Sequence, residues 1–221
     1  MAEVASSKLL KKGAEASLFL ADWHGKKVII KRRLPKKYRH VELDDEIRGY
    51  RTAHEPQLIH EAKKAGVGTP TVFLVDVEKA TITMEYVRGK QVKQLLSCIA
   101  KSERWKLCFE IGKVIGKLHS HGVIHGDLTT SNMIVNGEGR VFLVDFGLGE
   151  KNMELEAKGV DLHLLKRALQ STHYEFAEEC FRKVMEGYAV VLGVEEMEKV
   201  LVRIKTIEKR GRYVEERKEE I

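Results

Sequence analysis

His125-Gly126-Asp127-Leu128-Thr129-Thr130-Ser131-Asn132, followed thirteen residues after the asparagine by Asp145-Phe146-Gly147, is the part of this 221-residue chain whose reading decides the fold. Between the two motifs, Met133 to Val135 and Val141 to Val144 bracket the turn Asn136-Gly137-Glu138-Gly139, a hairpin signal between apolar runs. Phosphoryl transfer needs one carboxylate to orient the attacking hydroxyl or water and take its proton. It also needs an amide and a second carboxylate to hold magnesium on the phosphates. Asp127 suits the first task, and Asn132 and Asp145 suit the second. With Asp127 in that role, His125 reads as a structural imidazole rather than a base.

Asp-Phe-Gly alone is a weak signal, but its ordered pairing with Asp-x-x-x-x-Asn is the pattern of the protein-kinase catalytic and magnesium loops. Working upstream, Val28-Ile29-Ile30-Lys31 resembles the kinase strand whose lysine reaches the nucleotide phosphates. Taken by itself, Lys31 inside a basic run reads as a solvated charge, and the downstream motifs reverse that reading. Its expected partner is a glutamate on the small-lobe helix, for which Glu55 and Glu61 are candidates. Leu58 and Ile59, three and four residues after Glu55, favour Glu55. Pro56 weakens that choice and is tolerated only if Glu55 lies in the helix's first turn, because an interior proline loses a hydrogen bond and clashes. In place of a kinase G-x-G-x-x-G loop the chain has Lys12-Gly13-Ala14-Glu15-Ala16-Ser17, so Gly13 and Glu15 are the candidates to cover phosphates with backbone amides. Met84-Glu85-Tyr86-Val87 occupies the place of the inter-lobe hinge, where adenine would bond to the backbone of Glu85 and Val87.

The rest of the chain supplies apolar material for a core, with 43% hydrophobic and 33% charged residues, which excludes disordered and collagen-like classes. Alternation predicts strands at Lys8 to Lys11, Ser17 to Asp22, Lys27 to Arg33, Thr71 to Asp76 and Thr81 to Val87. A charged stretch starts at Val41, and Leu58, Ile59, Ala62 and Ala65 mark a helix ended by Gly66. Trp105, Cys108, Ile111, Ile115 and Leu118 predict one apolar helix face from about Ser102, as N-cap, to His121. After Gly149 the chain reads helical, with breaks near Thr172 and Gly193 and a charged, mobile end from Lys209. The expected class is α+β, a minimal protein-kinase-like fold with a small β-rich N-lobe over 1–88 and a mostly helical C-lobe over 89–221. Cys98, Cys108 and Cys180 have no C-x-x-C spacing and fit a reducing compartment. With no apolar leader or membrane span, a cytoplasmic protein is expected. The formal charge is +6, and Lys26 to Arg39 holds eight basic residues and no acid. That run is either a solvated face or a contact for tRNA or an acidic partner.

Taken together, the chain resembles the small atypical kinase subunit of the KEOPS (EKC) complex, the PRPK-like family. The residues that carry the resemblance are HGDLTTSN with Met133-Ile134, Lys31-Arg32-Arg33 running to Lys36-Lys37-Tyr38-Arg39-His40, Leu43-Asp44 and Arg51-Thr52 before Glu55. Asp145-Phe146-Gly147-Leu148-Gly149, Gly159-Val160-Asp161-Leu162, Ser171-Thr172-His173 and Arg210-Gly211-Arg212 extend it over nearly the whole chain. The resemblance implies ATP and Mg2+ as cofactors, and other KEOPS subunits as partners, chiefly the threonylcarbamoyl-transferase subunit that modifies tRNA adenosine. It also implies a scaffolding role for Asp161 behind the catalytic loop. The run 26–39 and the C-terminal tail are the candidate tRNA contacts. Thr129 stands where protein kinases carry a lysine, which makes water a plausible acceptor, and Gly126 replaces the loop arginine. With no proline after Pro70 there is no A-P-E motif, so a conventional activation-loop switch should be missing. The alternatives are a RIO-type protein kinase and a nucleotide-binding pseudokinase scaffold.

Overall fold

The computed structural model describes residues 5–219 in backbone and 7–210 in side chain. Alternating residues fold Ala5–Lys12 (β1), Ser17–Trp23 (β2) and Lys26–Arg32 (β3) into an antiparallel meander. His24 and Gly25, both at positive φ, make the two-residue turn between β2 and β3, the geometry whose twist suits a tight hairpin. A helix, Val41–Lys64 (α1), follows, and then Val72–Asp76 (β4) and Thr81–Glu85 (β5). The five strands form one sheet in the order β1-β2-β3-β5-β4. A small cluster of Ala21, Val28 and Ile30, with Phe19, Trp23 and Phe73 against it, is the core of this sheet.

Helix α1 is longer than its apolar spacing predicts. Its first half has no buried stripe, and Val41, Leu43 and Tyr50 are exposed. Charge stabilises it instead: Glu42 and Asp44 lie in the first turn, where the helix dipole favours acids, and Arg48 Nε donates to Asp44 at 2.8 Å. Glu55 therefore stands about four turns in, and the expectation that Pro56 opens the helix is overturned. The missing Pro56 amide leaves the helix one bond short at Thr52, and burial of Thr52, Glu55, Leu58 and Ile59 on both sides of the break carries the helix through it. At the end, Gly66 at φ +73° lets its amide reach Lys63 O and the Val67 amide reach Ala62 O, closing the last turn.

Beyond the sheet come Gly89–Gln91 (β6), Val92–Leu95 (α2), Lys101–Ser120 (α3), Val123–Ile124 (β7), Met133–Asn136 (β8), Val141–Leu143 (β9) and Glu150–Lys151 (β10). Leu155–Thr172 (α4), Ala177–Leu192 (α5) and Val194–Glu219 (α6) complete the chain. The predicted hairpin is β8–β9, with β6 added on its other edge. Helix α3 is capped by Ala100 rather than Ser102, with Glu103 Oε2 accepting from the Ala100 amide. Trp105, expected in the core, is half-buried, its Nε1 donating to Glu179 Oε2 at 3.2 Å. The end expected to be mobile is the helix α6, and Arg210 Nη1 donates to Glu156 Oε1 at 3.0 Å. Arg212, Glu215, Glu216 and Glu219 are described in backbone only, and Glu220 lies outside the described residues.

The large core joins both parts: Leu58, Ile59, Ala62, Ala65 and Val67 from the end of α1 pack with α3, α4, α5 and Phe146. Helices α3 and α5 approach until their backbones touch. A Cβ at Gly112 would run into Val184 O, and one at Gly187 would run into Phe109 O. Because each neighbour is rigid backbone, Gly187→Ala is expected to cost about 3 kcal/mol, read as a lower urea midpoint with an unchanged slope in equilibrium unfolding.

Candidate active site

The segment His125 to Asn132 is held from behind by one carboxylate. Asp161 on α4 is fully buried; its Oδ2 accepts from the His125 amide at 2.8 Å and its Oδ1 from the Gly126 amide at 3.0 Å. His119 Nε2 lies 3.2 Å from the same Oδ2, and His119 Nδ1 lies 3.1 Å from the Tyr188 hydroxyl. Burial pushes the Asp161 carboxyl up, but the His119 hydrogen bond and the His125 amide outweigh it and hold it below its ordinary value. His125 is buried beside Phe146, its Nε2 donating to Val144 O and its Nδ1 accepting the Asp127 amide. With both ring nitrogens engaged it serves the loop's shape, as its sequence context suggests. Asn132 Nδ2 donates to Asp127 Oδ2 at 2.8 Å and to Asp127 O at 3.0 Å, so the amide braces the loop across its own turn.

Across the cleft, Lys31 on β3 is buried and donates to both oxygens of Glu55 at 2.8 Å and to Asp145 Oδ1 at 2.5 Å. Glu55, not Glu61, is thus the partner of Lys31; Glu61 pairs instead with Lys64 and Lys151. Asp145 holds φ at +69°, a strained region that aspartate tolerates better than most residues. Burial raises its pKa, but the Lys31 ammonium and hydrogen bond, then the Gly147 amide, keep it below the ordinary carboxylate value.

Two joined recesses surround this cluster. One, of about 210 Å³, lies under the Gly13 to Ala16 turn and has the charged or polar Lys31, Arg33, Arg51, Asp127, Asn132 and Asp145 in its walls. The turn is closed by the Gly13 amide on Ala16 O at 2.9 Å. The Glu15 side chain points into ion pairs with Arg51 and Arg39, so what this turn offers the recess is backbone and the carboxylate's outer edge. The other recess, of about 360 Å³, is a more apolar slot between Leu18, Ile29 and Met84 on the sheet and Ile134 and Val144 below. Glu85, Tyr86 and Val87 form its back edge. The Glu85 amide is spent on Thr71 O and the Tyr86 amide faces Lys27 O, whereas the Val87 amide has no protein acceptor among the described residues. The slot has the shape for a flat heteroaromatic group and the polar recess has the charge for phosphates.

The protein kinase domain family model matches residues 8–188. The KEOPS complex subunit Bud32 of Pyrococcus abyssi (strain GE5 / Orsay) is 47% identical over 214 residues, covering 94% of this chain and 97% of that one. The chain belongs to the protein kinase family, in its Bud32 branch. A probable bifunctional tRNA threonylcarbamoyladenosine biosynthesis protein of Methanothermobacter thermautotrophicus is 45% identical over 207 residues, of which this chain spans only 37% of the length. The Rio2 kinase of Chaetomium thermophilum, solved as an ADP/Mg2+-phosphoaspartate complex, shares the fold with a TM-score of 0.63 at 15% identity, over 96% of this chain and 72% of that one.

As a member of this family the chain departs from the common kinase pattern at Gly126, and the structure gives the reason. Gly126 sits at φ +76°, and a Cβ there would strike Leu148 O. The segment after Asp145-Phe146-Gly147 is folded flat on the catalytic loop and tied there by β10 pairing with β7 before α4 begins at Leu155. No long activation loop exists between these elements. The basic run is mostly occupied within the fold. Lys31 and Arg33 are buried in the cleft, Lys27 pairs with Asp22, Arg39 with Glu15 and Asp44, and Lys36 donates to Ala14 O. Arg33, Arg51, His119 and Tyr188 belong to these networks, and the sequence reading gives none of them a role in the site; Arg33 and Arg51 enter it only as residues that carry the resemblance. Only Arg33 leaves a readable signal, since two residues from Lys31 on a strand means the same face.

Asp161→Asn is expected to lose one charged acceptor behind two buried amides, a cost of about 2 kcal/mol at neutral pH. Because the folded pKa is lowered, the carboxylate's contribution is fully present above the unfolded value of about 3.9 and is lost as pH falls through the lower folded value. Acid titration of stability should therefore show a smaller loss below pH ~4 in Asp161→Asn than in the parent.

Proposed function

We propose that the chain is an ATP- and magnesium-dependent phosphotransferase or ATPase that works as the small kinase-fold subunit of a KEOPS-type assembly in tRNA threonylcarbamoyladenosine formation. The observation that carries this reading is the convergence of Lys31, Glu55 and Asp145 on one wall of a cleft with Asp127 and Asn132 on the other. A nucleotide-binding chain with no turnover has no chemical need for Asp127, Asn132 and Asp145 together.

In this reading adenine enters the apolar slot and bonds to the backbone of Glu85 and Val87, whose free amide supports the assignment. The backbone around Gly13 and Glu15 covers the phosphates, and Lys31 leaves Asp145 to neutralise them. Magnesium fits the donor set: the Asn132 side-chain oxygen has no partner among the described residues, and Asp145 is a half-exposed carboxylate kept ionised. Bound there, it would neutralise charge developing on the phosphates. Asp127 orients the acceptor O–H and takes its proton. The bond from the γ-phosphorus to the bridging oxygen breaks as the acceptor oxygen bonds to phosphorus, leaving ADP. Thr129 brings no charge beside that phosphoryl group, which favours water over a protein hydroxyl as acceptor.

With the lobes divided at residue 88, this reading puts the slot between them. Partners are other subunits of the assembly, chiefly the threonylcarbamoyl-transferase subunit, and Lys26, Arg32 and Lys37 are the cations of the run 26–39 left for tRNA or an acidic partner face.

Magnesium-dependent phosphate release from ATP by the purified chain, alone and with transferase subunit and tRNA, tests this. Asp145→Ala and Asp127→Ala are expected to remove release while leaving the unfolding transition in place, and Lys31→Ala to weaken both nucleotide binding and turnover. Unchanged release in Asp145→Ala would sink the assigned site. Label appearing on protein rather than as free phosphate would make the chain a kinase in the strict sense. Tight ATP binding with neither product would make it a scaffold.

A further inference from the structure

Glu55 has no exposed side-chain surface, and two cations share it, Lys31 on β3 and Arg33 just past its end. Lys31 donates to both of its oxygens, and Arg33 Nη2 donates to Oε2 at 2.5 Å. Arg33 is itself buried, at 3% exposure, and its second nitrogen, Nη1, donates to Thr52 Oγ1 at 3.2 Å. Thr52 is fully buried, and its hydroxyl donates to Arg48 O at 2.6 Å. The planar guanidinium thus grips α1 at two points, residues 52 and 55, one turn apart. These points lie just before the place where Pro56 withholds the amide that Thr52 O would otherwise accept.

The base of this grip is fixed. The Arg33 amide donates to Ala80 O at 3.0 Å, holding the residue in line with β3. The tip reaches the magnesium loop: a Cβ on Gly147 would stand 3.1 Å from Arg33 Nη2 and 3.5 Å from Glu55 Oε2, so the glycine admits the ion pair. Arg33 therefore touches the sheet, α1 and the Asp145-Phe146-Gly147 turn at once.

The charge balance gives this arrangement a purpose. Without nucleotide, Lys31 and Arg33 face Glu55 and Asp145, two charges against two. When Lys31 turns to phosphates, a carboxylate paired with Lys31 alone would be left buried and unpaired, an expensive state that drives a helix outward. We propose that Arg33 is a positioning residue that keeps Glu55 and α1 in the inward site whether or not Lys31 is engaged with nucleotide. The active arrangement is then built in, and α1 does not act as a swinging switch. The proposal rests on the nucleotide reading only for the reason Lys31 departs, so its main test removes Lys31 by substitution.

Amide hydrogen exchange along α1 is measured in the full chain for the parent, Lys31→Met, Arg33→Met and the double variant, without nucleotide. Lys31→Met should keep α1 protected within about threefold of the parent, because Arg33 alone still holds Glu55. The double variant should exchange about a hundredfold faster there. A Lys31→Met variant as loose as the double variant overturns the proposal. A second arm adds ADP or ATP with magnesium to Arg33→Met and serves if the double variant does not fold. Exchange in α1 should rise about tenfold on nucleotide addition in this variant and stay constant in the parent. Turnover should fall in kcat with KM for ATP little changed, and Arg33→Lys, which keeps the charge but not the fork, should restore part of it. Equal loosening with and without nucleotide, at unchanged kcat per folded molecule, would reduce Arg33 to a stabilising residue and overturn the proposal. Failure to bind nucleotide at all would count against the proposed function while leaving the first arm decisive for Arg33.

Discussion

An ionised carboxylate without exposed surface costs several kcal/mol to desolvate unless cations are brought to it with good geometry, and Glu55 is such a group. Meeting that demand determines where much of the first ninety or so residues must go. Lys31 and Arg33, two residues apart at the end of β3, have to point to the same side, and β3 runs in the middle of the sheet. The helix carrying Glu55 has to continue past a proline that would ordinarily end it. The same cations bring Asp145 and Gly147 against the sheet, so the two halves of the cleft are joined by charge at the point where chemistry is proposed. The apolar end of α1 adds a second tie, since Leu58, Ile59 and Ala62 pack into the core of the helical part.

The opposite wall is organised by a different economy. Asp161 spends both carboxylate oxygens on backbone amides of the catalytic loop, and the His119–Tyr188 pair behind it fixes its orientation from α3 and α5. Those helices are set by glycine contacts so close that no side chain separates them. The loop's position is therefore inherited from helix packing some distance away. Gly126 and the flat Leu148–Gly149 segment show the other consequence. With the loop arginine replaced by a glycine, the backbone of the following segment occupies its space, and two short strands pin it there. A loop that must be ordered by phosphorylation has nowhere to begin.

Much of this was legible in the sequence because the motifs that hold the candidate site residues are read from residue type and spacing rather than from hydropathy. Asp127, Asn132, Asp145 and Lys31 stand where their spacing implies, in the same cleft. The hairpin between the motifs was readable from two apolar runs and a glycine turn. What was not legible depended on tertiary contacts. The first half of α1 carries no apolar period, and its helical state comes from ion pairs such as Arg48 with Asp44. Pro56 argued locally for a helix start, and burial on both sides overrode it. Apart from Lys31, the basic run read as an outward face or a contact surface, yet Arg33 turned inward beside Lys31 while Arg39 and Lys36 closed on the Glu15 turn. Helix α6 ends in charge that composition alone could not tell from a free tail.

If both walls are held in place before nucleotide arrives, control of turnover has to act on what remains adjustable. The turn from Gly13 to Ala16 is such a part. It has a single glycine and one internal bond, and three cations outside the sheet tie it down: Arg51 and Arg39 on Glu15, and Lys36 on the Ala14 carbonyl. Lys36 and Arg39 belong to the exposed segment that joins β3 to α1, beside the exposed side chains of Tyr38 and Val41. A ligand on this segment would bear on the turn through Lys36 and Arg39 before it reached Lys31, Glu55 or the catalytic loop. In a kinase fold whose segment after Gly147 is pinned by two short strands, a turn tied down mainly by side chains is the part of the cleft through which opening and closing would act.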